Sequence, residues 1–386
     1  MSKKLMKLLA VLLALTMVAA ACGDDDEATT DVPADEPADE PVDEPVDEPV
    51  DEPADEPVEV DALVAAFDSN GDGTVTIGVA AAGPRDDNGY YQSLVNFAET
   101  FSADNNFAPP IVSDNIGPAE AAQSISDLAQ QGVDILMVGA SEIAEPLADL
   151  TEEFPDIFWY CNCGAGFSEL PGLAQATDWG AAIHYSAGVA MGAVLQEQGS
   201  TSSVFLGCCD INFEQEAYNA TVFGLQSVDA SFTMEYVGTG DFEFDFDNAA
   251  NATAALTNAQ ANGATLAYAY LGGALDPVGQ LGADEGMAVF AAGPADICDR
   301  DIAWTGGVVF DGGTYASQAL RLIIDGDLAE GSTYQFPTEP GLNGAVLCDA
   351  SADAQAVVDG AFGLIASFDE ALYGELGAIS GAAYGG

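Results

Sequence analysis

From Thr74 onward, short apolar runs rich in Val, Ile and Leu alternate with longer stretches whose apolar positions recur every three to four residues. The short runs predict buried strands and the periodic stretches predict amphipathic helices. Thr74 to Ala80 opens the series as a strand and breaks at Gly83-Pro84; Leu94, Val95, Phe97, Ala98 and Phe101 then follow at helical spacing. Strands are predicted at Ile111-Val112, Val133 to Val138 and Ile157 to Cys161, with helices at Pro118 to Gln131 and Ile143 to Phe154 between them. Past Trp179 the alternation resumes with helices at Ala181 to Gln196, Gln215 to Ser227, Asn248 to Asn262 and Leu275 to Glu285. Strands at Ser203 to Gly207, Phe232 to Val237, Thr265 to Tyr270 and Ala288 to Ala292 separate them. Trp304 to Phe310, a helix from Tyr315 to Ile324, Val346-Leu347 and a helix from Ala354 to Tyr373 complete the chain.

Strict alternation of strand and helix predicts an α/β fold with parallel sheets covered on both faces. A domain of roughly 325 residues is too long for one such sheet, so two Rossmann-like lobes joined by a hinge are expected. The expected first lobe is 62–178 plus about 305–333, and the second is 179–304 plus about 334–386. The loop at Thr177-Asp178-Trp179 is the expected first crossing.

Two segments precede the domain. Residues 1–22 combine Lys3, Lys4 and Lys7, an apolar core from Leu8 to Val18 and small residues leading to Cys22. This resembles a lipoprotein signal, in which Cys22 is lipidated and anchors the mature chain to the cell membrane on its outer side; an ordinary signal peptide is the competing reading. Residues 23–61 repeat Asp-Glu-Pro-Val/Ala from Asp35 to Val58. Proline at every fourth position and dense like charge predict a disordered, extended tether. At about 3.1 Å per residue it would reach roughly 100 Å.

Charge then narrows the partners. The formal net charge is −58, and beyond the signal the only basic residues are Arg85, Arg300 and Arg321. Nucleic acid is excluded, because phosphate binding needs basic side chains. Electrostatic docking on anionic lipid is excluded for the same reason, leaving membrane contact through the lipid anchor alone. An acidic, lysine-free surface also suits a salty habitat, where screening weakens self-repulsion.

Candidate chemistry gathers at the end of the first strand. Ligands of open α/β sheets lie beyond the carboxyl ends of the strands. Asp86, Asp87, Tyr90 and Tyr91 fall there, offering hydrogen-bond acceptors and stacking rings. Asp87 or Asn88 serves equally as a helix cap. The stretch Asp68-Ser69-Asn70-Gly71-Asp72-Gly73-Thr74-Val75 matches the first eight positions of a calcium loop through Asp68, Asn70 and Asp72. Position 12 is Val79, where a bidentate Glu is needed, so a plain polar turn is the competing reading. Cys161, Cys163, Cys208, Cys209, Cys298 and Cys348 make an even set outside the cytoplasm, which predicts disulfides within lobes, their pairing open. His184, the only histidine, is expected to pack beside Tyr185. The chain has no Gly-x-Ser-x-Gly elbow and no zinc-ligand histidine set, so a binding protein without cofactor is expected rather than an enzyme.

Five segments, in order, resemble the basic membrane protein family, the nucleoside-binding lipoproteins of ABC transporters. They are Asp87-Asn88-Gly89-Tyr90-Tyr91-Gln92-Ser93, the stretch from Val133 through Phe154-Pro155-Asp156, Tyr185 to Gly192, Leu271-Gly272-Gly273 and Gly341-Leu342-Asn343-Gly344. The resemblance covers about Val75 to Leu376. It implies a type I periplasmic-binding-protein fold that closes on a small molecule, usually a purine nucleoside, and delivers it to a permease and ATPase. It also implies that Asp87 binds polar ligand groups, Tyr90 stacks on the base and Ser141 lines the cleft. Phe213 would supply the second aromatic face, Gly273 would allow close backbone approach, and Asp296 would meet ribose hydroxyls. Tyr91 stands where the family has asparagine, and Phe310-Asp311 where it has a basic residue. An extracellular sensor, or a binder of a sugar or other small solute uncoupled from transport, is the alternative.

Overall fold

A computed structural model describes residues 62–164, 167–242 and 244–385. The expected leader, its Cys22 and the acidic tether lie outside the described residues.

The first sheet starts from α1 (Ala62–Phe67), β1 (Ile77–Ala80), α2 (Tyr90–Asp104), β2 (Ile111–Ser113), α3 (Ala121–Ala129) and β3 (Ile135–Val138). Next come α4 (Leu147–Glu153), β4 (Phe158–Asn162) and β5 (Ala174–Thr177). The chain then crosses and builds a second sheet. Its elements are α5 (Gly180–Gln198), β6 (Ser202–Gly207), α6 (Asn212–Val228), β7 (Thr233–Gly238), α7 (Ala249–Ala261), β8 (Leu266–Ala269), α8 (Leu275–Glu285), β9 (Ala288–Gly293) and β10 (Gly306–Phe310). It returns for α9 (Gly312–Asp325) and β11 (Thr333–Gln335), and crosses a third time to β12 (Asn343–Leu347), α10 (Ala352–Ala366) and α11 (Glu370–Tyr384).

The first sheet has the order β11-β5-β4-β3-β1-β2, with every pair parallel. The second has the order β12-β10-β9-β8-β6-β7, parallel except for β12 on β10. Central strands such as β1, β3 and β8 are buried along their whole length. That is why they read as continuous apolar runs rather than as alternating ones.

Three details differ from the sequence reading. Gly306–Phe310 hydrogen-bonds to β9, so it belongs to the second sheet, and the returning segment starts near 311 rather than 305. The stretch 143–154 is a one-turn 3-10 helix at Ser141–Ile143 followed by α4, because Pro146 cannot continue a helix from the residues before it. The helix expected over 354–373 is two helices. Phe368 takes a left-handed φ of 54°, and the Asp369 carboxylate accepts the Leu372 amide to start α11.

The second lobe is built on close contact of α5 and α6. A Cβ on Gly188 would lie 2.0 Å from the Thr221 carbonyl oxygen, and one on Gly224 would lie 2.2 Å from the Tyr185 carbonyl oxygen. Gly188→Val should therefore cost at least about 2 kcal/mol by overpacking, read as a lower urea midpoint. Gly360 of α10 has nothing within 4 Å of its Cβ position, so Gly360→Ala should gain about 0.5–1 kcal/mol instead. Equal stability of the two variants would mean that the helices do not meet at Gly188.

Tyr315 of α9 joins the three crossings. Its hydroxyl lies 2.7 Å from Asp178 Oδ2, on the first crossing, and also bonds the Asn343 amide, on the third. At the second crossing, Asp311 Oδ1 accepts from Ser93 Oγ at 2.6 Å and from the Thr314 amide at 2.8 Å. Ser93 Oγ in turn accepts the Gly313 amide at 2.7 Å.

Candidate functional site

The loop after β1 delivers its residues to different tasks. Asp86 is exposed, whereas Asp87 is buried and faces the start of α2. The Asp87 carboxylate accepts the amides of Gly89 at 2.8 Å, Gln92 at 3.0 Å and Tyr91 at 3.2 Å. Burial raises its pKa, those amides oppose the rise, and the charge of Asp247 in the second lobe adds to it. Asp87 thus caps α2, the competing role foreseen for it. Tyr90 and Tyr91 sit in the first turn of α2, edge to face with centroids 5.2 Å apart. The Tyr90 hydroxyl donates to the Gly139 carbonyl at 2.8 Å and accepts from Asn162 Nδ2. The Tyr91 ring covers Gly83, where a Cβ would come within 2.5 Å of it, and its hydroxyl reaches Glu142 at 3.4 Å. Ser141 is exposed at the start of the 3-10 helix beyond β3.

In the second lobe, Phe213 opens α6 and anchors an aromatic wall. Phe244 and Phe246 lie within 25° of parallel to it, at centroid separations of 6.5 and 6.4 Å, and Tyr270 is 6.4 Å away. Tyr270 stacks on Phe310 at 5.6 Å. Sequence reasoning singled out Phe213 and did not anticipate the rings that pack around it. The signal was the cluster of phenylalanines among acids at 242–246, of which Phe244 and Phe246 turn to Phe213 while Phe242 stays exposed. Behind the wall His184 is buried, with Nδ1 3.1 Å from the Tyr268 hydroxyl. Burial lowers its pKa to about 3, so it stays neutral.

Two expected ligand contacts are occupied by the protein itself. The Gly273 amide donates to Asp247 Oδ1, and a Cβ there would meet the same oxygen at 3.0 Å. Asp296 is exposed and pairs with Arg300 at 2.9 Å, while Asp276 takes the same guanidinium at 3.4 Å. Between the lobes lies a cleft of about 440 Å³, lined by Asn88, Gln92 and Ser93 from one side, by Asp296 and Arg300 from the other, and by Asp311. Of the eight expected ligand residues, it gathers Asp296 alone.

All three bridges among the described residues form within a lobe, as expected: Cys161–Cys163 in the first, Cys208–Cys209 and Cys298–Cys348 in the second. Cys208 and Cys209 follow β6, and the Phe244 amide donates to Cys209 Sγ at 3.2 Å, fastening the aromatic loop to the pair. Beneath them Glu214 is fully buried. Its carboxylate accepts the Cys208 and Cys209 amides at 3.1 and 3.4 Å and the Tyr236 hydroxyl at 2.8 Å. Cys208, Cys209 and Glu214 place three potential metal ligands within 4.8 Å, but the two sulfurs are spent on each other.

The calcium-like loop is likewise closed on itself. Asp68 accepts the amides of Gly71 at 2.7 Å, Asp72 at 3.1 Å and Gly73 at 2.9 Å, and Asn70 accepts that of Asp72 at 2.9 Å. Asp72 accepts the Thr74 amide at 3.0 Å. Val79 is buried in β1 and offers no side-chain oxygen at the twelfth position.

No protein-family profile matches the sequence, and no curated protein is similar to it at a significant level. Solved structures do match. An ABC transporter solute-binding protein from Conexibacter woesei DSM 14684 is 20% identical, with a TM-score of 0.57 over 76% of this chain and 97% of its own. A solute-binding protein of an ABC transporter system from Aeropyrum pernix K1 is 12% identical, with a TM-score of 0.59 over 81% of this chain and 91% of its own. A transcriptional activator of the comK gene from Bacillus halodurans is 15% identical, with a TM-score of 0.58 over 76% of this chain and 97% of its own. At these identities the likeness carries the fold and no residue roles. The two six-stranded, mostly parallel sheets, crossed three times by the chain, have the fold of the type I periplasmic binding proteins.

Proposed function

We propose that this protein is an extracytoplasmic solute-binding lipoprotein that captures a purine nucleoside between its lobes for import by an ABC permease and its ATPase. The observation that carries the flat ring is the wall of Phe213, Phe244, Phe246 and Tyr270 at the carboxyl ends of the second sheet. Parallel rings favour a flat heterocycle over an aliphatic solute. Charge favours a neutral nucleoside over a nucleotide. Arg85 is held by Asp114 at 2.8 Å, and Arg300 by Asp296 and Asp276, so neither is free to meet a phosphate. No helix among the described residues is long and apolar enough to cross a membrane, which accords with attachment through Cys22.

Calorimetric titration of the protein with inosine, adenosine and guanosine tests this reading. Phe213→Ala should weaken nucleoside binding by roughly 1–3 kcal/mol, the range for losing one ring stacked on a base. Unchanged affinity would remove the aromatic wall from the site. Labelling of the expressed protein by a radioactive fatty acid, lost on Cys22→Ala, tests the anchor.

A further inference from the structure

We propose that the hinge holds a second, polar half of the ligand site, an acceptor-rich well formed by Asp178, Asn162, Asn343 and Tyr160 that binds the hydroxyls of a furanose. This rests on the reading of the protein as a binder of a nucleoside between its lobes and assigns the sugar end of that ligand.

The argument is one of proton bookkeeping. Tyr315 has one hydroxyl proton and two acceptors in reach, Asp178 Oδ2 at 2.7 Å and the Asn343 amide. The carboxylate is the stronger acceptor and takes the proton. The Asn343 group facing Tyr315 must then be the Nδ2 donor, an assignment that the network rather than the atom positions decides. Turned this way, Asn343 directs a bare carbonyl oxygen away from Tyr315. The same count at Tyr90 gives the same result. Its proton goes to the Gly139 carbonyl, so Asn162 donates to it through Nδ2, and Asn162 Oδ1 is left without a partner. Asp178 accepts from Tyr315 at Oδ2, and as a carboxylate it keeps lone pairs for further donors. The Tyr160 hydroxyl is also buried without a partner.

These groups lie together. Tyr160 and Asn162 are two apart on β4 and so share one face of the first sheet. The charge of Asp178 acts on Tyr90, Tyr160, Tyr315 and, across the hinge, Tyr270. Asn343 stands opposite Phe310 in the pairing of β12 with β10, and Phe310 stacks on Tyr270 at 5.6 Å, so the well adjoins the aromatic wall. Buried polar atoms without partners are costly, and three of them, on Tyr160, Asn162 and Asn343, call for a common partner.

That partner must supply several donors and accept one bond from the Tyr160 O–H. An ammonium group donates and cannot accept, whereas a hydroxyl does both. An anion has nothing to offer two bare carbonyls beside a carboxylate. Adjacent hydroxyls of a sugar ring satisfy the set. This moves the sugar end away from Asp296, which Arg300 already engages.

The test is calorimetric titration of the full chain and of Asp178→Asn with inosine, ribose and hypoxanthine. Tyr315 can still donate to the new carboxamide, so the hinge contact survives the exchange. Affinity for inosine and ribose should fall roughly 10- to 100-fold, with hypoxanthine unchanged. Asn162→Leu, which removes a different acceptor, should show the same selectivity. Unchanged inosine binding in both variants, or equal losses for inosine and hypoxanthine, overturns the well and leaves it a place for structural water. If ribose binds in an Asp178-dependent way and inosine does not bind, the nucleoside reading falls and the well stands. If neither inosine nor ribose binds, the well falls with it.

Discussion

Replacing Cys298 and Cys348 together by serine is expected to cost about 4 kcal/mol of stability, by the loop-entropy relation for a bridge of this span. The two residues are 50 apart, and the bridge ties the 3-10 helix after β9 to the end of β12, the antiparallel edge strand of the second sheet. As the edge strand, β12 pairs with β10 on one side only. The vicinal pair supplies the internal control. Cys208 and Cys209 are adjacent, so their bridge closes no loop worth counting, and replacing both should change unfolding free energy little through chain entropy. Urea titrations of the two double variants, compared at equal slope, check the contrast. Comparable losses in the two variants would mean that the long bridge acts by something other than loop closure.

The second large effect comes from Glu214. Burial is the main cause that lifts its pKa from an ordinary 4.5 to about 7, with the charge of Asp210 acting in the same direction. The Tyr236 hydroxyl and the amides of Cys208 and Cys209 oppose the rise without cancelling it. An acid with a raised folded-state pKa binds its proton more tightly when folded. Its contribution is therefore most favourable below about 4.5 and is lost as pH rises through about 7, a change on the order of 3 kcal/mol. Glu214→Gln removes the ionisation and keeps the contacts, since its carbonyl accepts the two amides and its nitrogen donates to Tyr236. The variant should thus exceed the parent in stability by up to about 3 kcal/mol at pH 8 and match it near pH 4.5. Denaturant midpoints at the two pH values decide the matter; a gain that is the same at both would show that Glu214 does not titrate in the folded protein.

Much of the architecture was legible along the chain. Runs such as Ile135–Val138 are apolar because both faces of their sheet are covered, and α3 shows its buried side through Ala121, Ile125 and Leu128 at helical spacing. The strict alternation of these two patterns was enough to call for parallel sheets, and length was enough to call for two of them. Excess acid and three arginines limited the ligand before any geometry was known. What the sequence could not supply was pairing at a distance. That Gly306–Phe310 joins β9, and not the first sheet, depends on hydrogen bonds that leave no mark in the run itself. The role of Asp87 turned on three amides at the start of α2, which no residue type announces. Asp178, Tyr315 and Asn343 are separated by 137 and 28 positions and meet only because the chain crosses the hinge three times. Local composition determines which segments are strands and helices, because burial and periodicity act over a few residues. The hinge and the cleft belong to tertiary structure, because each is made from side chains that only the closed topology brings within hydrogen-bond reach.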